Sequence, residues 1–479
     1  MLIGIDVGTT AVKAALFDAR GRALKSFGQR YGTSRPAPGH VEQQASDWWA
    51  LVEMALAELG AGLPDGAVHC VGLTSQVNTH VFVDADGEAL RPAMTWQDGR
   101  CAAAAARLDE LVSLDSKLAW WGAPLPIDAS HVLARMAHVA EHEPDVWRKT
   151  RWVMAPKDYC LFRITGEIAT DPMTAFGIVD GQLQLVPQLL ALVPGAAERL
   201  PPLRGFTEII GTVRRGLPCA GAPVVTGAMD AWAGLLGAGV SLEGEAVYLS
   251  GTSEILGIVS EKRVPTPGVI AFPKCQGIVL HAGPTQAGGA SIEWLSRLLG
   301  RSASELSALA AEADVSKPLP LFLPHLEGER APVWDVASRG SLSLLSSAMG
   351  PQEVARAVLE GVAYSARWLL ETLEASAALR PPLLNHSGGG SRSDLWCQIR
   401  ADVLGRPLRR TASRDAGVLG AALMAGVGCG MFRSIAEAAK SFVVFDREFE
   451  PQAKETARHV HQFARYCDLY AGLKNLRNT

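Results

Sequence analysis

The sequence predicts an α/β protein of two similar halves, each carrying a turn suited to the phosphates of a nucleotide. Apolar strands alternate with amphipathic helices in both halves, which is typical of layered α/β architectures. A glycine followed by two hydroxyl residues comes directly after an apolar strand at residues 8–10 and again at residues 251–253. The chain of 479 residues is also too long for one ordinary core, so we expect more than one domain.

The turn near the N-terminus combines groups that bind phosphates and a metal ion. Gly8 lets the backbone approach a ligand without a Cβ in the way, and the N–H groups of such a turn can form an anion-binding nest. Thr9 and Thr10 supply hydroxyl donors, Lys13 a compact positive charge and Asp6 a carboxylate that suits Mg²⁺. The alternative is an ordinary β-hairpin turn. The repetition of the pattern in the second half favours two domains that hold one nucleotide between them.

Composition and motif content exclude several classes of function. A net charge of −4 without blocks of like charge argues against nucleic acid or a membrane as partner. The eight cysteines are scattered without a Cys-x-x-Cys pair, which is typical of reduced thiols rather than a disulfide framework. No signal-peptide pattern and no long apolar run is present, and we therefore expect a cytoplasmic protein. The absence of a Walker A pattern excludes a P-loop NTPase.

Helices and strands are predicted along the whole chain. The expected helices span residues 46–59, 101–111, 130–141, 286–299, 352–377, 393–404 and 417–426. Strands lie between them, notably at 68–73, 224–226 and 246–259. A glycine-rich segment at 234–244 predicts the boundary between the halves, giving domains of residues 1–240 and 241–479.

Asp230 is the candidate general base. It follows the predicted strand 224–226 through Gly227 and Ala228, two small residues that leave room for a ligand. A carboxylate at a strand end near a domain boundary is well placed to accept a proton. The alternative is a helix N-cap for residues 231–237, and the two roles are compatible.

Two groups of side chains suit a sugar. Trp96 offers an apolar face for stacking, and the Asp98 carboxylate can accept hydrogen bonds from the hydroxyl groups of a sugar. Gln76, Val77 and Asn78 follow a buried strand and form the second group. The alternative for the first group is a surface turn with a half-buried tryptophan.

A glycine-rich segment in the second half is a candidate for the base or ribose of a nucleotide. Gly388, Gly389 and Gly390 follow a strand and precede a helix that begins near Ser393. Glycines there let a flat group lie against the main chain, and the helix start offers free N–H groups. The spacing differs from that of the Rossmann fingerprint.

Seven ordered motifs resemble the FGGY family of carbohydrate kinases over nearly the whole chain, and they look most like its xylulokinase-type members. The motifs lie at residues 6–13, 96–100, 227–230, 251–253, 287–294, 327–335, and 388–390 followed by 402–405. The resemblance implies two actin-like, ribonuclease H-like domains flanking a central cleft. It also implies ATP and Mg²⁺ as cofactors and a small sugar as substrate.

The resemblance assigns roles to individual residues. It implies that Mg²⁺ lies near Asp6, and that Trp96 and Asp230 face the sugar with Asp230 as the base. It implies nucleotide contacts from Gly8, Thr9, Thr10, Lys13, Gly251, Thr252, Ser253, Gly289, Glu293, Gly388, Gly389, Gly390 and Ser393. A homodimer is expected by analogy with the family.

The chain departs from the family pattern around the sugar. Asn78 stands where xylulokinases usually have His, Val77 where they have Met, and Ala231 where Asn is common. Glycerol kinases carry Arg-Glu at 77–78, which argues against glycerol. We expect an ATP-dependent kinase of a small ketose, with xylulose as the leading acceptor. The alternatives are another four- to six-carbon polyol or ketose and, in a different class, a catalytically silent, nucleotide-gated regulatory protein that binds sugar.

Overall fold

The computed structural model describes residues 1–286, 288–413 and 415–478. Its strands are β1 (Leu2–Val7), β2 (Ala11–Phe17), β3 (Ala23–Arg30), β4 (Glu42–Gln43), β5 (Cys70–Ser75), β6 (Val81–Val83), β7 (Ala93–Met94), β8 (Trp152–Met154), β9 (Ile209–Thr212), β10 (Pro223–Val225), β11 (Ala228–Met229), β12 (Ala246–Ser250), β13 (Glu254–Val259), β14 (Ile270–Ala271), β15 (Leu280–Pro284), β16 (Leu321–Leu323), β17 (Ser341–Ser343), β18 (Leu384–Ser387), β19 (Leu408–Thr411) and β20 (Phe445–Phe449).

The α-helices alternate with these strands. They are α1 (Ala45–Gly60), α2 (Ala102–Leu111), α3 (Leu114–Trp121), α4 (Val132–His142), α5 (Pro144–Lys149), α6 (Pro156–Thr165), α7 (Pro187–Leu190), α8 (Asp230–Gly237), α9 (Gly289–Leu299), α10 (Ala303–Glu312), α11 (Pro351–Ala377), α12 (Asp394–Leu404), α13 (Ala416–Gly428), α14 (Ile435–Phe442) and α15 (Ala453–Asn478). Among the residues with described positions, none of the helices is both long enough and apolar enough to cross a membrane.

The chain divides into two compact units, each with its own sheet and core. The first unit contains residues 1–239, 273–276 and 415–443, and the second contains the remainder of the described chain. Both units mix helices and sheet, which confirms the predicted α/β class with two sheet-containing domains.

The sheet of the first unit has a hairpin at one side and parallel strands beyond it. The strand order is β3-β2-β1-β5-β10-β9, and β11 also pairs with β5. The strands β1, β2 and β3 are antiparallel, whereas β5 runs parallel to β1, β10 and β11. Helix α1 covers this sheet through buried apolar residues such as Trp48, Val52 and Leu56.

The sheet of the second unit repeats this plan. Its order is β14-β15-β13-β12-β18-β19-β20. The strands β12, β13 and β15 are antiparallel, and β18 runs parallel to both β12 and β19. In each unit, three antiparallel strands are therefore followed by two parallel ones in the same spatial order. Helix α11 supplies much of the second core, with Val358, Val362 and Leu369 fully buried.

Helix α13 belongs to the first unit although it comes late in the chain. The predicted helix 417–426 is present, and glycines allow its close packing. A Cβ on Gly4 of β1 would lie 2.0 Å from the carbonyl oxygen of Val418, and one on Gly72 of β5 would lie 2.0 Å from that of Ala421. A Cβ on Gly420 would lie 1.8 Å from a carbonyl oxygen of α8. Residues 415–443 thus lie with the first unit, although the predicted C-terminal domain of residues 241–479 includes them.

Candidate active site

Three strands of the first unit end side by side at one edge of the sheet. β1 and β11 flank β5 in parallel, so that Val7 and Met229 both lie opposite Ser75. The residues that follow, among them Gly8 and Asp230, therefore emerge at the same edge. In α/β sheets, ligands bind outside the carboxyl ends of the parallel strands. Two of the segments predicted from the sequence thus lie at the expected position for a ligand site.

The small residues before Asp230 serve the packing of the chain. Gly227 has φ +71°, and a Cβ there would lie 1.8 Å from the carbonyl oxygen of Leu73. Ala228 is fully buried in β11, where its carbonyl accepts a hydrogen bond from Thr74 Oγ1 at 2.7 Å. The sequence-based explanation, room for a ligand, is wrong at these two positions. They are small because β11 approaches β5 closely.

Asp230 is the first residue of α8 and is half-buried. Its Oδ1 accepts the Ala231 N–H at 2.8 Å, while Met229 occupies the N-cap position. The N-cap of this helix is therefore Met229, one residue before the predicted position at Asp230. The N-terminal end of a helix favours a negative charge, which suits an ionised carboxylate at this position.

Asp6 carries a buried carboxylate oxygen that has no hydrogen-bond partner among the described residues. This atom is Oδ1. Burial, followed by the negative charge of Asp230, raises the pKa of Asp6 to about 7, although Lys13 opposes the shift. Asp6 and Asp230 therefore interact within one unit. The unpaired buried oxygen of Asp6 fits a divalent cation.

The carboxylate of Asp6 fits Mg²⁺, an ion that takes few ligands from the protein itself. Among the residues described, no group of three or more His, Cys, Asp or Glu side chains could hold a metal ion. Mg²⁺ usually keeps several waters and binds through one or two carboxylates together with substrate phosphates. The carboxylate of Asp6, with its unpaired buried Oδ1, fits this role.

The turn after β1 is a β-hairpin turn whose backbone is held by side chains from elsewhere in the unit. The Tyr31 hydroxyl donates to the Gly8 carbonyl, and Gln43 Nε2 donates to the Thr9 carbonyl at 2.8 Å. Trp96 Nε1 donates to the Thr9 hydroxyl at 3.1 Å. The hairpin alternative is thus the observed geometry, and it leaves the Thr10 side chain exposed at the tip. This turn is also fixed enough to act as a binding loop.

Lys13 forms an ion pair with Asp415 that was not predicted from the sequence. Its Nζ lies 2.5 Å from Oδ1 of Asp415, and both side chains are half exposed. A Cβ on Gly417 would lie 2.8 Å from Oδ2 of Asp6. The start of α13 therefore lies beside the two carboxylates. An acidic residue directly before a glycine-rich helix was the available signal for Asp415.

Trp96, Val77 and Asn78 are half-buried. Val77 and Asn78 follow the end of β5, and Trp96 lies beside the turn after β1 through its hydrogen bond to Thr9. Asn78 has φ +53°, and its Nδ2 donates to Ser130 Oγ at 3.2 Å. Asparagine tolerates the left-handed region better than most residues, which accounts for this residue type at the turn. The amide oxygen and the indole face are groups that can recognise hydroxyls and C–H faces of a sugar.

Gln76 and Asp98 are only 1% exposed and are satisfied within the protein. Gln76 Nε2 donates to Gln43 Oε1 at 2.8 Å, so Gln76 supports the turn after β1. Asp98 accepts the Val41 N–H at 2.7 Å and pairs with Arg100 at 2.7 Å. Burial alone would raise the pKa of Asp98, but these hydrogen bonds lower it overall. Both side chains therefore hold the fold around the site, and their predicted sugar-binding role stays a prediction.

In the second unit, two predicted nucleotide segments lie in contact. The N–H of Gly289, at the start of α9, donates to the Gly251 carbonyl at 2.9 Å. The N–H of Gly288 donates to the Thr252 carbonyl at 2.9 Å. Gly251 and Thr252 are exposed, and Ser253 is half-buried. Ala287, which belongs to one quoted motif, lies outside the described residues.

The Gly388–Gly390 segment packs against the same turn. Gly388 has φ +101°, and a Cβ there would lie 2.4 Å from the Ser250 carbonyl oxygen. A Cβ on Gly390 would lie 2.1 Å from Ser250 Oγ, whereas a Cβ on Gly389 would meet open space. Ser393 caps α12 by accepting the Trp396 N–H at 3.2 Å. Close packing against Ser250 therefore requires glycine at 388 and 390, whereas the space beside Gly389 is open.

Glu293 lies on α9, one turn after Gly289, with an exposed side chain. The second unit thus brings the segments 251–253, 288–289 and 388–390 together through hydrogen bonds and close packing. Glu293 and Ser393 lie on the helices that follow two of these segments.

Family models match both halves of the chain. The N-terminal domain of the FGGY family of carbohydrate kinases matches residues 1–237, and its C-terminal domain matches residues 246–429. The chain belongs to the FGGY family of carbohydrate kinases. Members of this family are ATP-dependent sugar kinases, and this protein is one of them.

The relatives at 30% identity or more include kinases named for different acceptors. A xylulose kinase of Escherichia coli (strain K12) is 32% identical, covering 91% of this chain and 92% of its own. A glycerol kinase of Aromatoleum aromaticum is 30% identical, covering 95% of each chain. The crystal structure of a xylulose kinase from Rhodospirillum rubrum has a TM-score of 0.88 at 27% identity, covering 100% of this chain and 99% of that one. These likenesses support the actin-like two-domain architecture predicted from the motifs.

Proposed function

We propose that this kinase transfers the γ-phosphoryl group of ATP to a hydroxyl of xylulose, with Mg²⁺ as cofactor and Asp230 as the general base. The observation that carries the proposal is the pair of interacting carboxylates, Asp6 and Asp230, at the carboxyl ends of β1 and β11. The relatives named xylulose kinase support the choice of acceptor.

Asp230 would accept the proton of the attacking hydroxyl. Its Oδ1 is already oriented by the Ala231 N–H, and the first turn of α8 favours its ionised form. Proton acceptance by a positioned carboxylate is worth about 10²–10⁴ in rate. Phosphoryl transfer needs mainly alignment and charge neutralisation from a protein. Proton acceptance by Asp230 is therefore the one chemical step that the chain itself has to carry out.

Asp6 would hold Mg²⁺ through its unpaired Oδ1, directly or through water, and the ion would neutralise charge on the phosphates. Lys13 would add a second positive charge once its contact with Asp415 is exchanged for a phosphate oxygen. Thr9 and Thr10 would donate to phosphate oxygens from the hairpin turn.

The second unit would supply the remaining nucleotide contacts. Thr252 and Ser253 present hydroxyls from the turn between β12 and β13. Gly389 leaves space beside its main chain for the base or ribose, and Glu293 and Ser393 lie on the neighbouring helices. Each of these is an assignment that mutation of the residue can test.

Two residues on the acceptor side support a second candidate substrate beside xylulose. Asn78 presents an amide where xylulokinases usually have His, and Ala231 has no polar group. These two departures favour, as the alternative, another four- to six-carbon ketose or polyol. Trp96, half-buried beside Thr9, would stack on either class of substrate.

A panel of acceptors tests the proposal. ADP release is measured with purified protein, ATP and Mg²⁺, using xylulose, ribulose, fructose, erythritol, xylitol and glycerol as acceptors. We expect xylulose to give the highest kcat/KM. A background rate with xylulose together with turnover of another acceptor would replace the substrate assignment and retain the kinase.

The metal and the assembly need separate measurements. Asp6→Asn should raise the Mg²⁺ concentration required for half-maximal activity, because the residue loses its negative charge. We also propose a homodimer, by analogy with the family. Light scattering of the eluted protein would give twice the chain mass if the dimer forms and the single chain mass if it does not.

A further inference from the structure

A buried guanidinium lies beneath the segments of the second unit that we propose for the nucleotide. Arg400, on α12, is 0% exposed, and its Nη2 donates to Ser250 Oγ at 2.6 Å and to Glu254 Oε1 at 2.5 Å. Its Nη1 donates to the Gly390 carbonyl at 3.1 Å, and its Nε donates to the Tyr248 hydroxyl at 3.1 Å. One side chain therefore contacts β12, β13 and the glycine-rich segment.

The partners of Arg400 lie at both ends of the turn 251–253. Ser250 and Glu254 are paired across β12 and β13 and close this turn. Ser250 Oγ donates to Glu254 Oε1 at 3.0 Å, and the Tyr248 hydroxyl donates to Glu254 Oε2 at 2.5 Å. Glu254 is 0% exposed, so its carboxylate is paired with Arg400 and is not solvated by bulk water. Arg400 thus fixes the two residues from which the turn projects.

The geometry leaves little freedom at this contact. Gly390 has no space for a Cβ, which would lie 2.1 Å from Ser250 Oγ. The guanidinium carbon lies 3.7 Å from the centre of the Trp396 ring, which fixes its plane from one side. A change at Arg400 is therefore expected to alter the separation between the turn 251–253 and the segment 388–390.

We propose that Arg400 is a positioning residue for the nucleotide, acting through Ser250, Glu254 and Gly390 without touching the ligand. This inference rests on the proposed assignment of the segments 251–253 and 388–390 to ATP. The planar guanidinium donates in several fixed directions at once, whereas a lysine ammonium is a point charge on a flexible stem. A displacement of about 1 Å in groups that position a substrate can cost about 10²-fold in rate.

The test compares two conservative lysine variants of buried arginines in the same unit. Arg400→Lys keeps the charge that Glu254 requires and loses the directed contacts. Arg356→Lys is the matched control, because Arg356 is also buried and pairs with Glu360 at 2.7 Å. The measurements are the dissociation constant of ADP by calorimetry, the thermal midpoint, and KM for ATP and for the sugar.

We expect Arg400→Lys to weaken ADP binding and to raise KM for ATP by about tenfold or more, while KM for the sugar stays near that of the wild type. Arg356→Lys should lower the thermal midpoint with unchanged ADP affinity. Equal ADP affinity in the two variants would overturn the inference. If Arg400→Lys does not fold, Ser250→Ala removes one contact of Arg400 with little change in volume. Weaker ADP binding in Ser250→Ala would support the inference, and unchanged ADP binding would overturn it.

The outcomes separate this inference from the proposed function. Binding of ADP that depends on Arg400, in a protein that phosphorylates no sugar, would support the positioning role and reject the proposed function. Normal turnover of xylulose with ADP affinity that does not depend on Arg400 would reject the positioning role alone. Absence of ADP binding in the wild-type protein would reject both.

Discussion

Replacement of Asp230 by asparagine removes the proposed proton acceptor and retains the shape of the side chain. Asparagine keeps an oxygen that can accept the Ala231 N–H, which Asp230 Oδ1 accepts at 2.8 Å, so the start of α8 should be preserved. General-base assistance is worth about 10²–10⁴ in rate, and we expect kcat to fall by this factor. At about 1.36 kcal/mol for each factor of ten, the barrier rises by about 2.7–5.4 kcal/mol.

The same variant should leave nucleotide binding in place. The charge of Asp230 is one of the causes that raise the pKa of Asp6, after burial, so its removal favours the ionised form of Asp6 at neutral pH. We therefore expect the ADP dissociation constant to stay near the wild-type value while kcat falls. ADP release under saturating ATP and sugar measures kcat, and calorimetry measures ADP binding.

Asp47→Asn is the matched control for this experiment. Asp47 also lies in the first turn of a helix, α1, and it has no role in the proposed chemistry. It should keep wild-type kcat. A near-normal kcat in Asp230→Asn would refute the assignment of the base. A loss of ADP affinity that accounts for the whole loss of activity would instead show that Asp230 serves nucleotide binding.

Three further predictions concern the support of the site and the stability of the fold. Gln43→Leu removes the donor to the Thr9 carbonyl, and we expect KM for ATP to rise about tenfold. The reason is that a hydrogen bond is worth about 1 kcal/mol and an unsatisfied carbonyl costs more. An unchanged KM for ATP would contradict this prediction. Gly420→Ala places a Cβ 1.8 Å from a carbonyl oxygen of α8, and we expect it to lower the free energy of unfolding by about 3 kcal/mol. Urea titration measures this change. The control is Gly472→Ala, whose Cβ would meet open space and which should leave the free energy of unfolding unreduced. Burial lowers the pKa of His459 to about 4 from 6.5, so the unfolded chain gains a proton between these pH values that the native protein does not bind, and stability falls as pH falls through this range. His459→Gln should reduce that fall in urea titrations at pH 7 and pH 5, and an equally steep fall would contradict the assignment.

The sequence predicted the parts of the site that depend on local patterns. The hydroxyl turns at 8–10 and 251–253 and the strand before Asp230 follow from short-range periodicity and turn residues, and the structure contains each of them. The helix 417–426 was also predictable, because its small residues indicate close packing. Its place in the first unit was not, since only the three-dimensional contacts with Gly4 and Gly72 determine it.

Roles that depend on distant partners could not be predicted in this way. Gln76 and Asp98 have polar groups that could bind a sugar. Only the structure shows that Gln76 is hydrogen-bonded to Gln43 and that Asp98 is paired with Arg100. Arg400 was missed for the same reason, since it lies about 150 residues from Ser250 in the chain. A buried charged residue can be recognised once its burial is known.

In the proposed reaction, the γ-phosphoryl group of ATP goes to a sugar hydroxyl rather than to water. Phosphorus NMR of a reaction with equal amounts of ATP and xylulose, in the presence of Mg²⁺, follows every phosphorylated species at once. We predict that ADP and a pentulose monophosphate appear in equal amounts, with little inorganic phosphate. ADP together with inorganic phosphate and no sugar phosphate, or no consumption of ATP with any acceptor of the panel, would contradict the account.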